Sequence, residues 1–372
     1  MQALGVRARA RVAGLIAVVA MVVTMLASGA PPAAGAPTPA AGGAPPAIVG
    51  VHVHLLWGEQ SDTDRMKVLF RIRATGADTV RVDLGWSSLQ PTSRDRFDPG
   101  YVAFVDKWFG VMRQLGLRPL AAVWLAPSWS NDGQGPRYLP RDPADYARVM
   151  AWLVNRYRGM LAGVQVWNEP NLPTMLAPAA DPVAYVRLLR SVWRAVKQTD
   201  SRVPVVFGGL STVDTDWMAH AYAAGARGWF DVMAVNPYMS PADTDPELPD
   251  NGSPLRMAHV LTLRRLMTAW GNAGTPIWFT EFGWSTHLNQ VDTPGYARGV
   301  SESAQAAYFA RTVTLAQAWG VARLYWYQAI DTSAAAIDGD PQALQNSNYG
   351  LLRADLTTKP AYGVLWRVNG GL

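Results

Sequence analysis

The stretch Gly163-Val164-Gln165-Val166-Trp167-Asn168-Glu169-Pro170-Asn171 decides how this chain is to be read. Val164 and Val166 are β-branched and follow a segment of helical pattern, which predicts a short buried strand of a parallel sheet. Pro170 cannot continue a central strand, so Asn168 and Glu169 stand where the strand stops. An acid at the carboxyl end of a parallel strand is where α/β barrels keep their chemistry. Taken alone, such a Glu reads as a helix cap or an ion-pair partner. A second stretch, Pro276-Ile277-Trp278-Phe279-Thr280-Glu281-Phe282-Gly283-Trp284, ends in the same manner. Two carboxylates on two strand ends, each amid tryptophans, point to a shared site.

Outward from these stretches the chain repeats one pattern, an apolar run followed by an amphipathic segment. The apolar runs are 48–55, 79–86, 117–125, 163–169, 203–210, 230–238, 277–284 and 321–330. The helical segments that follow them are 62–75, 101–115, 143–159, 182–198, 215–224, 255–271, 301–319 and 360–368. Asp142-Pro143 and Asp181-Pro182 place a capping Asp before a Pro suited to the first helical position. Gly76, Gly116, Gly159, Gly271 and Gly320 stand where helices should end. Eight strand–helix units of this size predict an α/β fold, a (β/α)8 TIM barrel with a single catalytic domain over 48–372. A doubly wound open sheet would want a Gly-rich phosphate turn after an early strand. Gly208-Gly209 follows the fifth strand and lacks the third Gly, and there is no P-loop.

The 372 residues include no Cys and are 49% hydrophobic, enough for one large core. The net charge of +5 is partly a leader effect: Arg7, Arg9 and Arg11 are basic and residues 1–30 hold no acid. The remainder has 30 basic against 28 acidic residues, a balance of +2, which gives no footing for nucleic-acid binding. The three arginines precede the apolar run 12–27, the pattern of a secretory signal peptide over residues 1–30. That run is shorter than the ~20 apolar residues of a spanning helix, so an uncleaved anchor is the lesser reading. Residues 31–47 form a Pro/Ala-rich linker that cannot bury a core. An exported, disulfide-free, Arg- and Ala-rich chain suggests a secreted or cell-envelope bacterial protein, expected to be a monomer.

In a barrel the carboxyl ends of all eight strands meet on one face. Here those ends carry His52 and His54; Arg81, Asp83 and Trp86; Trp124; Trp167, Asn168 and Glu169; Ser211; Asn236 and Tyr238; Glu281 and Trp284; and Tyr325, Trp326, Tyr327 and Gln328. Cutting a glycosidic bond needs a proton donor at the leaving oxygen and a second carboxylate at the anomeric carbon. Flat indoles suit the apolar faces of sugar rings. Most of the sixteen tryptophans are expected to pack in the core, Trp152, Trp193 and Trp319 among them. Trp326, Trp284 and Trp124 end strands and are candidates for sugar contact. No cofactor or metal is expected.

The motifs Trp167-Asn168-Glu169-Pro170-Asn171 and Phe279-Thr280-Glu281-Phe282-Gly283 resemble the two active-site signatures of clan A retaining glycoside hydrolases. Family 39 and family 5-like members of the cellulase superfamily, including bacterial exopolysaccharide endoglycosidases, are the nearest in pattern. The resemblance covers about Ile48 to Val368. It implies a retaining enzyme acting on a poly- or oligosaccharide by double displacement, with Glu169 as acid/base and Glu281 as nucleophile. It implies that Asn168 holds the sugar 2-hydroxyl, that Arg81 and Tyr238 keep Glu281 ionised and aimed, and that Trp326 forms the platform under the sugar. His54 is a further candidate for sugar hydroxyls. Many relatives carry a His two residues before the sixth-strand Tyr; here that position is Asn236. Independently of the resemblance, Arg81 should favour the charged form of Glu281, while an apolar wall and the Glu281 charge should raise Glu169.

Two other readings compete. A metal-dependent, amidohydrolase-type barrel would open with His52-x-His54, but needs further ligands that the fourth and fifth strand ends lack. A barrel that binds polysaccharide without cutting it would need no acid pair. The segments 240–254 and 284–301 are the expected specificity loops.

Overall fold

The computed structural model describes residues 47–57, 60–289, 292–332 and 340–371. The leader expected over 1–30 and nearly all of the linker lie outside the described residues. Ala44–Leu372 forms one compact unit. No helix among the described residues is long and apolar enough to cross a membrane.

Among the described residues there are nine strands: β1 (Ile48–His52), β2 (Thr79–Gly85), β3 (Arg118–Trp124), β4 (Gly163–Val166), β5 (Val205–Val206), β6 (Leu210–Ser211), β7 (Met233–Asn236), β8 (Ile277–Phe282) and β9 (Val321–Trp326). All pair in parallel, in the order β5-β4-β3-β2-β1-β9-β8-β7-β6. The two ends of this order are two pieces of one strand, the fifth of the eight expected. Across the break the Phe207 amide donates to the Val232 carbonyl at 2.9 Å, and Val206 bridges to Val232. The sheet is therefore a TIM barrel whose seam lies at the interrupted fifth strand.

The interruption has a local cause. A Cβ at Gly208 would stand 2.8 Å from Pro170 Cδ and 2.9 Å from the Val166 carbonyl. One at Gly209, where φ is +60°, would stand 2.7 Å from Thr280 Oγ1. Only glycines let the chain bend here and pass beneath the loop that follows β4.

The helices fall where the pattern places them, at Asp62–Ala74, Pro99–Gln114, Pro143–Arg156, Pro182–Thr199, Thr215–Ala223, Val260–Ala269, Glu302–Ala318 and Pro360–Asn369. Asp142 caps its helix by accepting from the Ala144 amide at 2.9 Å, and Asp181 does so from Val183 at 2.8 Å. The five glycines expected at helix ends all have φ between +70° and +84°. Two short helices were not expected, Trp86–Leu89 and Pro341–Ser347.

The main core lies between barrel and helices, with Trp86, Trp108, Trp167, Trp284 and Trp326 among its largest buried side chains. A second, small cluster fills the barrel itself: Leu120, Val206, Val232, Ala234, Trp278 and Tyr325. Strand alternation sorts β9 between the two. Tyr325 points into the barrel, so Trp326 points out of it.

Candidate active site

The loop after β4 is held in an unusual shape. Trp167 and Glu169 both have left-handed backbones, with φ of +70° and +47°. Residues other than Gly keep such conformations where the surroundings over-determine them. Here the Trp167 amide donates to the Val123 carbonyl at 3.1 Å and its indole to the Met175 carbonyl at 2.8 Å. The Glu169 amide donates to the Gly208 carbonyl at 2.9 Å. Asn171 ties the far end to the Ser211 carbonyl and to Asp214, each at 3.0 Å. The strain is thereby spread over a rigid frame, and the Glu169 side chain emerges into a cavity of 610 Å³.

Glu281 reaches the same cavity from β8. Arg81 Nη1 lies 3.0 Å from Glu281 Oε1, and Tyr238 Oη donates to Oε2 at 3.2 Å. Glu169 meets neutral donors instead: Asn236 Nδ2 donates to its Oε1 at 3.1 Å, and Ser211 also hydrogen-bonds it. Each carboxylate is buried, 8% and 7% exposed. Burial pushes Glu281 up to about 8, opposed by Arg81 and aided by the Glu169 charge. Burial also raises Glu169, against the Asn236 bond and Arg81. Ionising both carboxylates in so dry a place is unfavourable. The contacts decide where the charge is best tolerated: a guanidinium and a phenol on Glu281, an amide and a hydroxyl on Glu169.

Arg81 is fully buried beneath the cavity and organises the floor. It donates to Asn168 Oδ1 at 2.9 Å and Gln165 Oε1 at 3.2 Å, and lies 2.9 Å from His52 Nδ1 and 3.4 Å from Asp83 Oδ1. Arg81 therefore meets the Glu281 carboxylate and does not line the cavity. Asn168 does line the cavity, and its carbonyl is taken by Arg81, which leaves its NH2 to offer.

His52 and His54 lie side by side, 4.4 Å between ring centroids. His52 Nε2 sits 2.6 Å from Asp83 Oδ2, and burial holds its pKa down at about 3 despite that carboxylate. His54 lines the cavity, with Nε2 3.3 Å from Tyr327 Oη. His52, His54 and Asp83 offer ligand atoms within 4.8 Å of one another. Arg81, however, already supplies the positive charge at that spot, so the donor set suits a guanidinium better than a metal ion.

Trp124, Trp284 and Tyr238 line the cavity. Trp326 does not, and the platform expected of it is corrected. Its indole is fully buried, 4.4 Å from the Phe309 ring and donating to the Tyr349 carbonyl at 3.0 Å. Alternation along β9 turns position 326 toward the helix layer and position 327 toward the site, so Tyr327 lines the cavity in its place. Trp57, Tyr296, Tyr349, Gln342, Gln345 and Asn346 also line it and were not foreseen. Counting alternation from buried Tyr325 could have found Tyr327. Gln342, Gln345 and Asn346 sit on a short helix with no sequence signal tying it to the site.

The sequence matches no family model and no curated protein. The fold matches solved structures. One is a family 39 glycoside hydrolase from the gut symbiont Bacteroides cellulosilyticus WH2, at 22% identity and TM-score 0.67, covering 87% of this chain and 63% of that one. Another is an exo-β-1,4-mannosidase from Opitutaceae bacterium strain TAV5, at 18% identity and TM-score 0.62, covering 89% of this chain and 60% of that one. A third is a GH5_18 variant protein from Streptomyces cattleya in complex with Manβ1-4GlcNAc, at 19% identity and TM-score 0.65, covering 87% and 80%. This chain thus spans less than two thirds of the length of the first two. At these identities the likeness establishes the TIM-barrel fold.

Proposed function

We propose that the protein is a retaining glycoside hydrolase that cleaves an oligo- or polysaccharide by double displacement. The observation that carries this is the pair Glu169 and Glu281, two buried carboxylates on one cavity with opposite kinds of partner. Of the structural neighbours, one is a glycoside hydrolase, one a mannosidase and one a protein bound to Manβ1-4GlcNAc, which supports the reading.

The contacts of the two carboxylates support one division of roles. Glu281, against Arg81 and Tyr238, is the nucleophile: its carboxylate oxygen attacks the anomeric carbon and forms a glycosyl ester. Glu169 gives its proton to the departing glycosidic oxygen, then takes one from the water that cleaves the ester, which restores both residues. Asn168 NH2 and Tyr238 hold the sugar and the nucleophile in register. The leader and linker fit export, so an extracellular or envelope polysaccharide is the proposed substrate.

The test is to trap the ester. A 2-deoxy-2-fluoro glycosyl donor with an activated leaving group should leave one sugar mass on the peptide carrying Glu281, and proton NMR should show the product with the substrate's anomeric configuration. Label on another residue, or inverted product, overturns the assignment. Binding of polysaccharide with no reducing ends released would favour a non-catalytic barrel.

A further inference from the structure

Among the described residues nine buried side-chain polar atoms lack a hydrogen-bond partner. Seven belong to residues away from the cavity wall; the other two are Asp83 Oδ1 and Trp124 Nε1, on residues that line it. The first is an acceptor and the second a donor. In the register of β2 and β3, Asp83 faces Ala122 and Gly85 faces Trp124, so the two side chains stand on adjacent strands two positions apart. His54 and Trp57 continue the same wall: His54 Nδ1 lies 3.7 Å from Asp83 Oδ2, and the Trp57 ring is 6.2 Å from His54 and 5.4 Å from Trp124.

Leaving a buried polar atom unpaired is costly, and a charged one more so. Asp83 is charged: burial alone would raise it, but Arg81 and His52 hold its carboxyl well below the usual carboxylate range. Its Oδ2 is taken by His52, and Oδ1 has only Arg81 Nη2 at 3.4 Å. Arg81 in turn is shared among Glu281, Asn168, Gln165 and His52. A sugar hydroxyl, which both donates and accepts, can serve an acceptor and a donor at once.

Resting on the glycosidase reading, we propose that Asp83 and Trp124 form a polar clamp for the sugar held at Glu281, with Asp83 Oδ1 accepting from one ring hydroxyl and Trp124 Nε1 donating to that hydroxyl or its neighbour. The unit bound there is a neutral sugar with free hydroxyls on that edge. A uronate or an O-acylated sugar is rejected, because the first sets a second carboxylate beside Asp83 and the second removes the hydrogen that Asp83 needs.

The experiment uses 4-nitrophenyl β-glycosides of glucose, mannose, xylose, N-acetylglucosamine and glucuronic acid, with monodeoxy versions of whichever is turned over fastest. Wild type, Asp83→Asn and Trp124→Phe are compared. Trp124→Phe keeps an aromatic ring and removes the indole nitrogen, which bonds nothing in the protein, along with two ring carbons. On the parent glycoside Asp83→Asn should lose about 10- to 100-fold in kcat/KM, the worth of one charge-assisted hydrogen bond, and Trp124→Phe about 2- to 10-fold, that of a neutral one. On the deoxy analogue lacking the bonded hydroxyl, wild type and variant should coincide. Equal losses on parent and all deoxy analogues, or wild-type preference for the glucuronide, overturn the proposal. The latter outcome would point to Arg137, whose guanidinium lies 4.6 Å over the Trp124 ring. Failure of the glycosidase reading looks different: wild type then cleaves none of these glycosides and no polysaccharide, and the clamp falls with it.

Discussion

Asn236 Nδ2 donates to Glu169 Oε1 at 3.1 Å while its own Oδ1 accepts from Thr280 Oγ1 at 2.7 Å. The Thr280 bond fixes which way the amide faces, so β7 presents a donor to the acid and β8 makes sure of it. A hydrogen bond to the charged form of a carboxyl lowers its pKa. Asn236→Ala should therefore move Glu169 further up, and the alkaline limb of the kcat/KM profile should shift to higher pH. An unchanged or lowered alkaline limb would show that Glu169 is not the group being titrated.

The two carboxylates should separate by leaving group. Glu169→Gln should lower kcat by about 10²- to 10⁴-fold for an alkyl glycoside, whose oxygen needs a proton, and far less for a dinitrophenyl glycoside. Glu281→Gln should abolish turnover of both. Steady-state kinetics on the two substrates check this, and a leaving-group-independent loss at position 169 would reassign it.

Stability should carry the imprint of the buried Glu281 carboxyl. Burial raises Glu281 from 4.5 to about 8. Below 4.5 the carboxyl is neutral in folded and unfolded chains alike and its contribution is complete. It is lost as pH climbs through about 8, because the unfolded chain gives up a proton that the folded chain keeps. Glu281→Gln has no proton to lose. Its melting temperature should gain on that of wild type as pH rises from 4.5 to about 8, which calorimetry at several pH values would show.

Trp326 offers a contrast between packing and binding. Trp326→Ala should destabilise the fold by about 3–5 kcal/mol, the usual cost of emptying an indole from a core. Trp326→Phe should leave KM close to wild type. A urea titration and a kinetic run on each variant decide the matter; a large rise in KM for the Phe variant would return the indole to the sugar.

The barrel was legible because its signals are local and repeated. Val164 and Val166 before a proline, Asp142 and Asp181 before prolines, and five glycines at helix ends each announce a boundary through their own backbone chemistry. Glu169 and Glu281 were legible because a strand end in this fold has one destination. Trp326 misled because its neighbourhood was right and its phase was not: a single step along β9 exchanges the site for the helix layer. Trp57 and the glutamines at 342 and 345 were hidden for another reason. They reach the cavity from irregular loops and a short helix, whose paths depend on contacts distant in sequence.

The break between β5 and β6 has a mechanical consequence. Most of the barrel wall is continuous ladder, but at the fifth strand the circle is completed by a few amides, one of them the bond from Phe207 to Val232. A hoop yields at its joint. Deuterium should enter the backbone first around 206–210, and any loosening there slackens the Gly208 carbonyl that anchors Glu169. Heat would then be expected to silence this protein before it unfolds it, by letting Glu169 drift while the rest of the barrel still stands.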